Sequence, residues 1–300
     1  MFRRLYHWVL RVFLLVTILL GAMSCGGRRA AIREAETTPR NPETGVILGA
    51  EPVRIDRGRT GACVLLHGWI TTPADFGDLP LALDRGGWDV YAPLHYGHGT
   101  SPLELDDVTA DMLLSVARRH YRRALQRYDR VVLIGFSMGG CIATLLAAEA
   151  PPDALVLIAP FYGVEHKWYY ILPARWWNAL LTPVISYVKR PSGSVQVNRP
   201  EGRDEVIAYS TFPTACTSAL FELRRRVVEE TDFARLTMPV LLVYSTGDDV
   251  CSHEAADEVL DRMPSAEKEE IVFDRSNHHI FHDYDRQEAV EQIAGFVGRP

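Results

Sequence analysis

The chain is poor in cysteine, with five in 300 residues, and none falls in a Cys-x-x-Cys pair or at metal-ligand spacing from a histidine. No structural zinc site is implied, and no metal is expected. An excess of positive charge is missing as well. Lys and Arg number 32 against 38 Asp and Glu, a formal net charge of -6, and the basic residues gather on one helix-like stretch instead of interleaving with aromatics. Phosphate-backbone binding is disfavoured on both counts, so no nucleic-acid partner is expected. Apolar residues are not scarce, as they would be in a disordered polymer: 47% of the chain is hydrophobic and 23% charged, the balance of a folded protein. Also absent near the N-terminus is an apolar run long enough for a membrane span of roughly 20 residues, because Trp8 to Leu20 is short and broken by Arg11. The length suits one α/β domain with insertions around a single sheet.

What the N-terminus does hold is Arg3, Arg4 and Arg11 around an apolar run from Val12 to Leu20, then the small-residue stretch Gly21-Ala22-Met23-Ser24-Cys25. That is the layout of a secretion signal over residues 1–24, and an uncleaved membrane anchor is the alternative. Residues 26 to about 45 follow neither apolar period and contain Arg28, Arg29, Pro39, Asn41, Pro42 and Gly45. They read as a flexible tether inside a lead-in of residues 25–57. The folded part should begin near Val46. Cys63 and Cys141 lie in strand-like and helix-like patterns where buried free thiols are usual. Disulfides among Cys63, Cys141, Cys216 and Cys251 cannot be paired from sequence.

Beyond the lead-in, short apolar runs alternate with amphipathic segments. Cys63 to Leu66, Trp88 to Ala92, Val131 to Phe136, Ala154 to Ile158, Val240 to Tyr244 and Glu270 to Phe273 are the candidate strands of a mostly parallel sheet. Between them Met112, Leu113, Val116, Ala117, Tyr121, Ala124 and Leu125 recur at helical spacing, with Asp106, Asp107 and Asp111 early and Arg118 to Arg127 late, an order suited to the helix dipole. The arginines are read as the solvated face of that helix. Alternating strands and helices of this kind predict a doubly wound α/β fold whose ligands sit beyond the carboxyl ends of the strands.

The motifs fall where that rule puts them. The strand Val131–Phe136 flows into Gly135-Phe136-Ser137-Met138-Gly139-Gly140 and then into the strong helix former Cys141-Ile142-Ala143-Thr144-Leu145-Leu146. A serine on such a strand-to-helix turn needs glycines beside it for close backbone packing, and the following helix aims its first amides at developing negative charge. A serine hydroxyl is a poor nucleophile until a histidine takes its proton, and the histidine needs a carboxylate to fix its tautomer. Both should lie after later strands. Gly247-Asp248-Asp249 follows the run at Val240, and Asn277-His278-His279 follows the run at Glu270, which leaves two choices for each role. An oxyanion needs a second amide besides that of Met138, and the turn His67-Gly68-Trp69 after the first strand can present the amide of Trp69.

Taken together, His67-Gly68-Trp69, Pro73-Ala74-Asp75, Tyr91-Ala92-Pro93, Gly97-His98-Gly99-Thr100-Ser101-Pro102, Gly135-Phe136-Ser137-Met138-Gly139-Gly140 and Ser276-Asn277-His278 resemble the bacterial carboxylesterase and monoacylglycerol lipase branch of the α/β-hydrolases, the serine aminopeptidase S33 type. The resemblance spans roughly residues 60 to 298. It implies an α/β-hydrolase fold with a core of residues 58–160 and 213–300 and a small inserted cap at 161–212. It implies hydrolysis of medium acyl esters or monoglycerides through an acyl-enzyme without a cofactor, Ser137 being the nucleophile. It selects Asp248, through Asp248-x-Val250, and His278, through Ser276-x-His278 with Asp283 five residues on. It makes His67 a buttress of its loop. Trp69 and the cap aromatics Trp168 and Trp176 are expected at the substrate. Thr71, where the family has glycine, and Leu94-His95-Tyr96, where it has an aspartate, are departures. Ala22-Met23-Ser24-Cys25 is similar to a lipoprotein cleavage site, which makes Cys25 the lipidated residue and the membrane a partner in the bacterial cell envelope. Acyl transfer or amide hydrolysis on the same triad is the alternative reading, and a surface-tethered binding protein on a retired hydrolase fold is the more distant one.

Overall fold

The computed structural model describes residues 2–165, 182, 185–191 and 194–299. The six apolar runs singled out above are strands: β2 (Gly61–Leu66), β3 (Asp89–Ala92), β4 (Arg130–Phe136), β5 (Ala154–Ile158), β8 (Val240–Ser245) and β9 (Lys268–Phe273). With β1 (Val53–Ile55), they form one seven-stranded sheet in the order β1-β3-β2-β4-β5-β8-β9. Only β1 runs antiparallel to its neighbour. This is the mostly parallel α/β-hydrolase sheet.

The strands read as continuous apolar runs because both of their faces are covered. In β2, Ala62, Val64 and Leu66 point into one core while Cys63 and Leu65 point into the other. The first core is closed by α3 (Ala110–Arg127), α4 (Met138–Glu149), α5 (Thr214–Arg225) and α6 (His253–Asp261), and the second by α2 (Leu79–Arg85) and α7 (Arg286–Val297). Each fully buried Leu, Ile or Val in these layers stabilises the fold by about 1.5–3 kcal/mol. Helix α3 starts where Thr109 Oγ accepts from the Met112 amide, and its arginines reach Glu149 and Asp56 on neighbouring elements. At the far edge β9 exposes Lys268, Glu269 and Glu270, charges that disfavour pairing with a further strand.

Two features position the site. The chain passes from β2 to β3 on one side and then crosses to β4 on the other, so the order reverses at β2 and β4. Their carboxyl ends form the crevice where doubly wound folds hold ligands. Between β5 and β8 the chain leaves the sheet and forms a hairpin, β6 (Tyr187–Lys189) with β7 (Thr211–Pro213). Trp168, Trp176 and the aromatics near them fall outside the described residues.

The N-terminal region departs from expectation. Residues 26–37, expected as a flexible tether, continue helix α1 (Phe2–Thr37), and beyond it Arg40 pairs with Ile47. The segment Arg29 to Glu36 is rich in good helix formers, and its docked face carries the small residues Gly27 and Ala31, which no search for large apolar residues would flag. No helix among the described residues is long and apolar enough to cross a membrane. All five cysteines are free thiols, Cys25 exposed and the other four buried.

Candidate active site

Strand β4 delivers the chain to Ser137, whose φ of 53° and ψ of -116° lie outside the usual regions for a residue with a side chain. Such a conformation costs of order 1–3 kcal/mol and persists only where its surroundings enforce it. Here the Ser137 amide donates to Ile158 O at 2.9 Å, while its carbonyl accepts from Gly140 and Phe161. Packing does the rest. A Cβ on Gly139 would stand 1.8 Å from Leu66 O, and one on Gly135 would stand 2.3 Å from Gly139 O. Only glycines let α4 press this closely on the ends of β2 and β4.

The imidazole of His278 lies between two groups from distant parts of the chain. Its Nε2 is 3.0 Å from Ser137 Oγ, and its Nδ1 is 2.7 Å from Asp248 Oδ2. Asp248 Oδ1 accepts from the amides of Val250 and Cys251, so this carboxylate is fixed at both oxygens. The side chains are buried, and the loop that carries His278 is tied down from behind. Fully buried Asp283 accepts from the amides of Asn277, Asn198 and Arg199. The neighbours that competed in the sequence are engaged elsewhere. Asp249 accepts from Asn277 Nδ2, and His279 Nδ1 stands 3.4 Å from Asp75.

Facing Ser137 across the crevice is the turn after β2. Among the described residues, neither the Trp69 amide nor the Met138 amide, the first of α4, donates a backbone hydrogen bond outside helices and strands. The first amides of a helix have no intrahelical acceptor, so an anion at this point meets unclaimed donors. Ile70 carries a φ of 54°, a rare state for a β-branched residue. Strain therefore sits on both walls of the crevice. Behind the turn, His67 Nδ1 donates to Gly68 O while Nε2 accepts from the His95 amide. The ring braces its own loop and is neutral. It belongs to a buried trio with His95 and His98, ring centroids 4.3 to 6.0 Å apart. Burial, with mutual repulsion adding to it for His67 and His95, holds His67 well below the ordinary imidazole range, His95 down to about 3 and His98, by burial alone, down to about 4.

A cavity of about 350 Å³ opens on Ser137 and His278. Its lining is largely apolar and includes Trp69, Ile70, Phe161, Phe212, Leu220 and Phe221; the Trp69 ring meets Phe212 edge-on at 4.6 Å. Thr71, His279, Gln196 and Arg190 supply its polar groups. Arg190 leaves the end of β6 and donates to Ser194 O and Gln196 Oε1, and burial lowers its pKa. Arg190 and Ile70 were not legible as site residues, since nothing local in the sequence marks a strained isoleucine or a long-range approach, and Asp75, though part of the motif Pro73-Ala74-Asp75, had no role assigned. Cys251 was missed too. It is buried beside Asp248, and burial raises its thiol pKa far above the ordinary value, which keeps it protonated.

Comparison with known proteins places the chain among α/β-hydrolases. The chain is similar to the thermostable monoacylglycerol lipase of Bacillus sp. (strain H-257), 27% identical over 254 residues that cover 85% of this chain and 96% of the relative. Among solved structures, a chain from the metagenome-derived lipolytic enzymes LipS and LipT superposes with a TM-score of 0.71 at 21% identity, covering 84% of this chain and 98% of that one. The monoacylglycerol lipase of Paleococcus ferrophilus superposes at 0.69 with 19% identity, covering 82% and 97%. The family model described as serine aminopeptidase, S33, matches residues 58–285, a span from before β2 to the start of α7 that takes in all the groups gathered around Ser137, and the chain belongs to that family of α/β-hydrolases.

Proposed function

We propose that the chain hydrolyses carboxylic esters with Ser137 as nucleophile, His278 as general base and acid, and Asp248 as the carboxylate that holds the imidazole. The observation that carries this reading is a single ring bonded through one nitrogen to Ser137 Oγ and through the other to Asp248. With Nδ1–H directed at Asp248, Nε2 is free to take the hydroxyl proton as Oγ bonds to the ester carbonyl carbon. The carbonyl oxygen becomes an oxyanion under the amides of Met138 and Trp69. Collapse of this tetrahedral intermediate breaks the bond to the alcohol, which leaves with the proton held on Nε2. Water then repeats the sequence on the acyl-enzyme, His278 taking its proton, and releases the acid and free Ser137.

The substrate reading follows from the cavity. Its apolar residues accommodate an acyl chain and its polar groups the alcohol, a reading in keeping with relatives named monoacylglycerol lipase and carboxylesterase. An amine-directed peptidase would need a carboxylate to hold the substrate's ammonium group. Among the described lining residues the one formal charge is the cation Arg190, which disfavours that alternative. On p-nitrophenyl esters, kcat/KM is expected to rise from acetate to acyl chains of about four to ten carbons as the apolar wall fills, with no turnover of aminoacyl p-nitroanilides. Turnover of the anilides without turnover of the esters would replace this reading with the peptidase one.

The sequence pattern of residues 1–24 and the exposed Cys25 support a place in the bacterial cell envelope, attached to the membrane through a lipid on Cys25 or through the N-terminal segment itself. Sedimentation with vesicles, set out below, tests the attachment.

A further inference from the structure

Helix α1 docks on the hairpin that walls the catalytic cavity. Ser24, Gly27, Ala31 and Glu34 are spaced three, four and three residues apart, which puts them on one face of a helix. Ser24 Oγ accepts from the Ser186 amide at 2.9 Å, and Glu34 takes both the amide and the hydroxyl of Ser210 at 2.7 and 2.6 Å. Between these ties, Gly27 lies so close to the hairpin that a Cβ would stand 2.7 Å from Tyr187 O, and Ala31 is fully buried. The residues gripped are the roots of β6 and β7. β6 leads into Arg190 and β7 contains Phe212, and both line the cavity that opens on Ser137.

The other end of the same helix is suited to a lipid surface. Tyr6, Trp8, Leu10, Val12, Leu14 and Leu15 are exposed. Residues 1–33 carry six arginines and no acidic residue, a charge that complements anionic headgroups. Cys25 sits at the junction, its side chain exposed while its neighbours Ser24 and Gly27 face the hairpin. A lipid on that thiol, with residues 1–24 cleaved away, leaves the contacts of Gly27, Ala31 and Glu34 with the hairpin in place.

We propose that residues 24–37 are a rigid strut between a bilayer and the hairpin over the active site, so that the enzyme is held in one orientation and draws its acyl ester from the membrane. The inference rests on the esterase and envelope readings above and adds a fixed geometry to them. From Cys25 to Glu34 a helix rises about 14 Å at 1.5 Å per residue. A flexible tether of some twenty residues would instead spread over about 25 Å with no fixed direction.

The test uses the full chain with vesicles of phosphatidylethanolamine and phosphatidylglycerol that carry monooleoylglycerol, and dissolved p-nitrophenyl butyrate as the reference substrate. One variant, Gly27→Leu with Glu34→Ala, breaks the docking. A second inserts about twenty Gly and Ser residues between Cys25 and Gly26, which keeps Gly27, Ala31 and Glu34 docked, gives up only the Ser24 contact, and frees the anchor. All three proteins should sediment with the vesicles. In both variants the ratio of vesicle to dissolved-ester turnover should fall about tenfold from wild type, the order expected when a fixed local concentration is lost. Ratios equal to wild type in both variants would overturn the strut while leaving the esterase reading intact. Wild-type protein left in the supernatant would overturn the bilayer as its partner, and failure of all three proteins to cleave either ester would overturn the esterase reading itself.

Discussion

Replacing Asp248 with asparagine should lower kcat on p-nitrophenyl butyrate by about 10⁴-fold with little change in fold, the size of effect that follows when a triad imidazole is locked in the wrong tautomer. The asparagine carbonyl can keep the bonds from the Val250 and Cys251 amides, so its NH2 group is left facing His278 Nδ1. That nitrogen must then accept, Nε2 carries the proton, and Ser137 loses its base. Asp249→Asn, one residue away, weakens a bond from Asn277 Nδ2 while the Asp248–His278 bond stays in place, and it should cost less than about tenfold. Equal losses in the two variants, by steady-state kinetics on protein with unchanged circular dichroism, would remove Asp248 from its role.

Acid should unfold the protein well before carboxylate protonation alone would. His95 and His98 are buried and neutral, with pKa values held at about 3 and about 4 in the folded state against about 6.5 in an unfolded chain. Above pH 7 neither state binds these protons, and stability owes nothing to pH through them. As pH falls below 6.5 the unfolded state takes up protons that the native state refuses, so stability drops until the folded pKa values are reached. At pH 5 each ring costs on the order of 2 kcal/mol, about 4 kcal/mol for the pair. His67 and His279, also shifted down, add in the same direction. That sum is a large part of the about 5–15 kcal/mol that holds a typical domain together. Urea unfolding at pH 7 and pH 5 measures it directly. A stability that does not change over this interval would mean that the trio is solvated or charged in the native protein.

These histidines also show where sequence reading stops. Strand runs such as Val131 to Phe136 were legible because both of their faces are buried and β-branched residues fill them, and the crevice was legible because Gly135, Ser137 and Gly139 are locally spaced. The choice between Asp248 and Asp249, or His278 and His279, came from resemblance, since adjacent residues of one type carry no local signal about which will turn inward. Nothing local marks His95 as a buried neighbour of His67, because its environment is made by strands 28 residues apart in sequence. The docking of α1 was misread for a related reason: its contact face is built from Gly27, Ala31 and Glu34, residues chosen for closeness to Tyr187 and Ser210 rather than for hydrophobicity. Arg190 could not be placed without knowing that β6 and β7 fold back over the crevice.

The central claim is that the Ser137 hydroxyl is activated by the histidine beside it, and a fluorophosphonate probe reads that activation covalently. Mass spectrometry of the labelled wild-type protein should find the probe on the peptide that contains Ser137, with labelling abolished in Ser137→Ala and strongly reduced in His278→Ala. Probe attached elsewhere, or wild-type protein that stays unlabelled while correctly folded, would contradict the account.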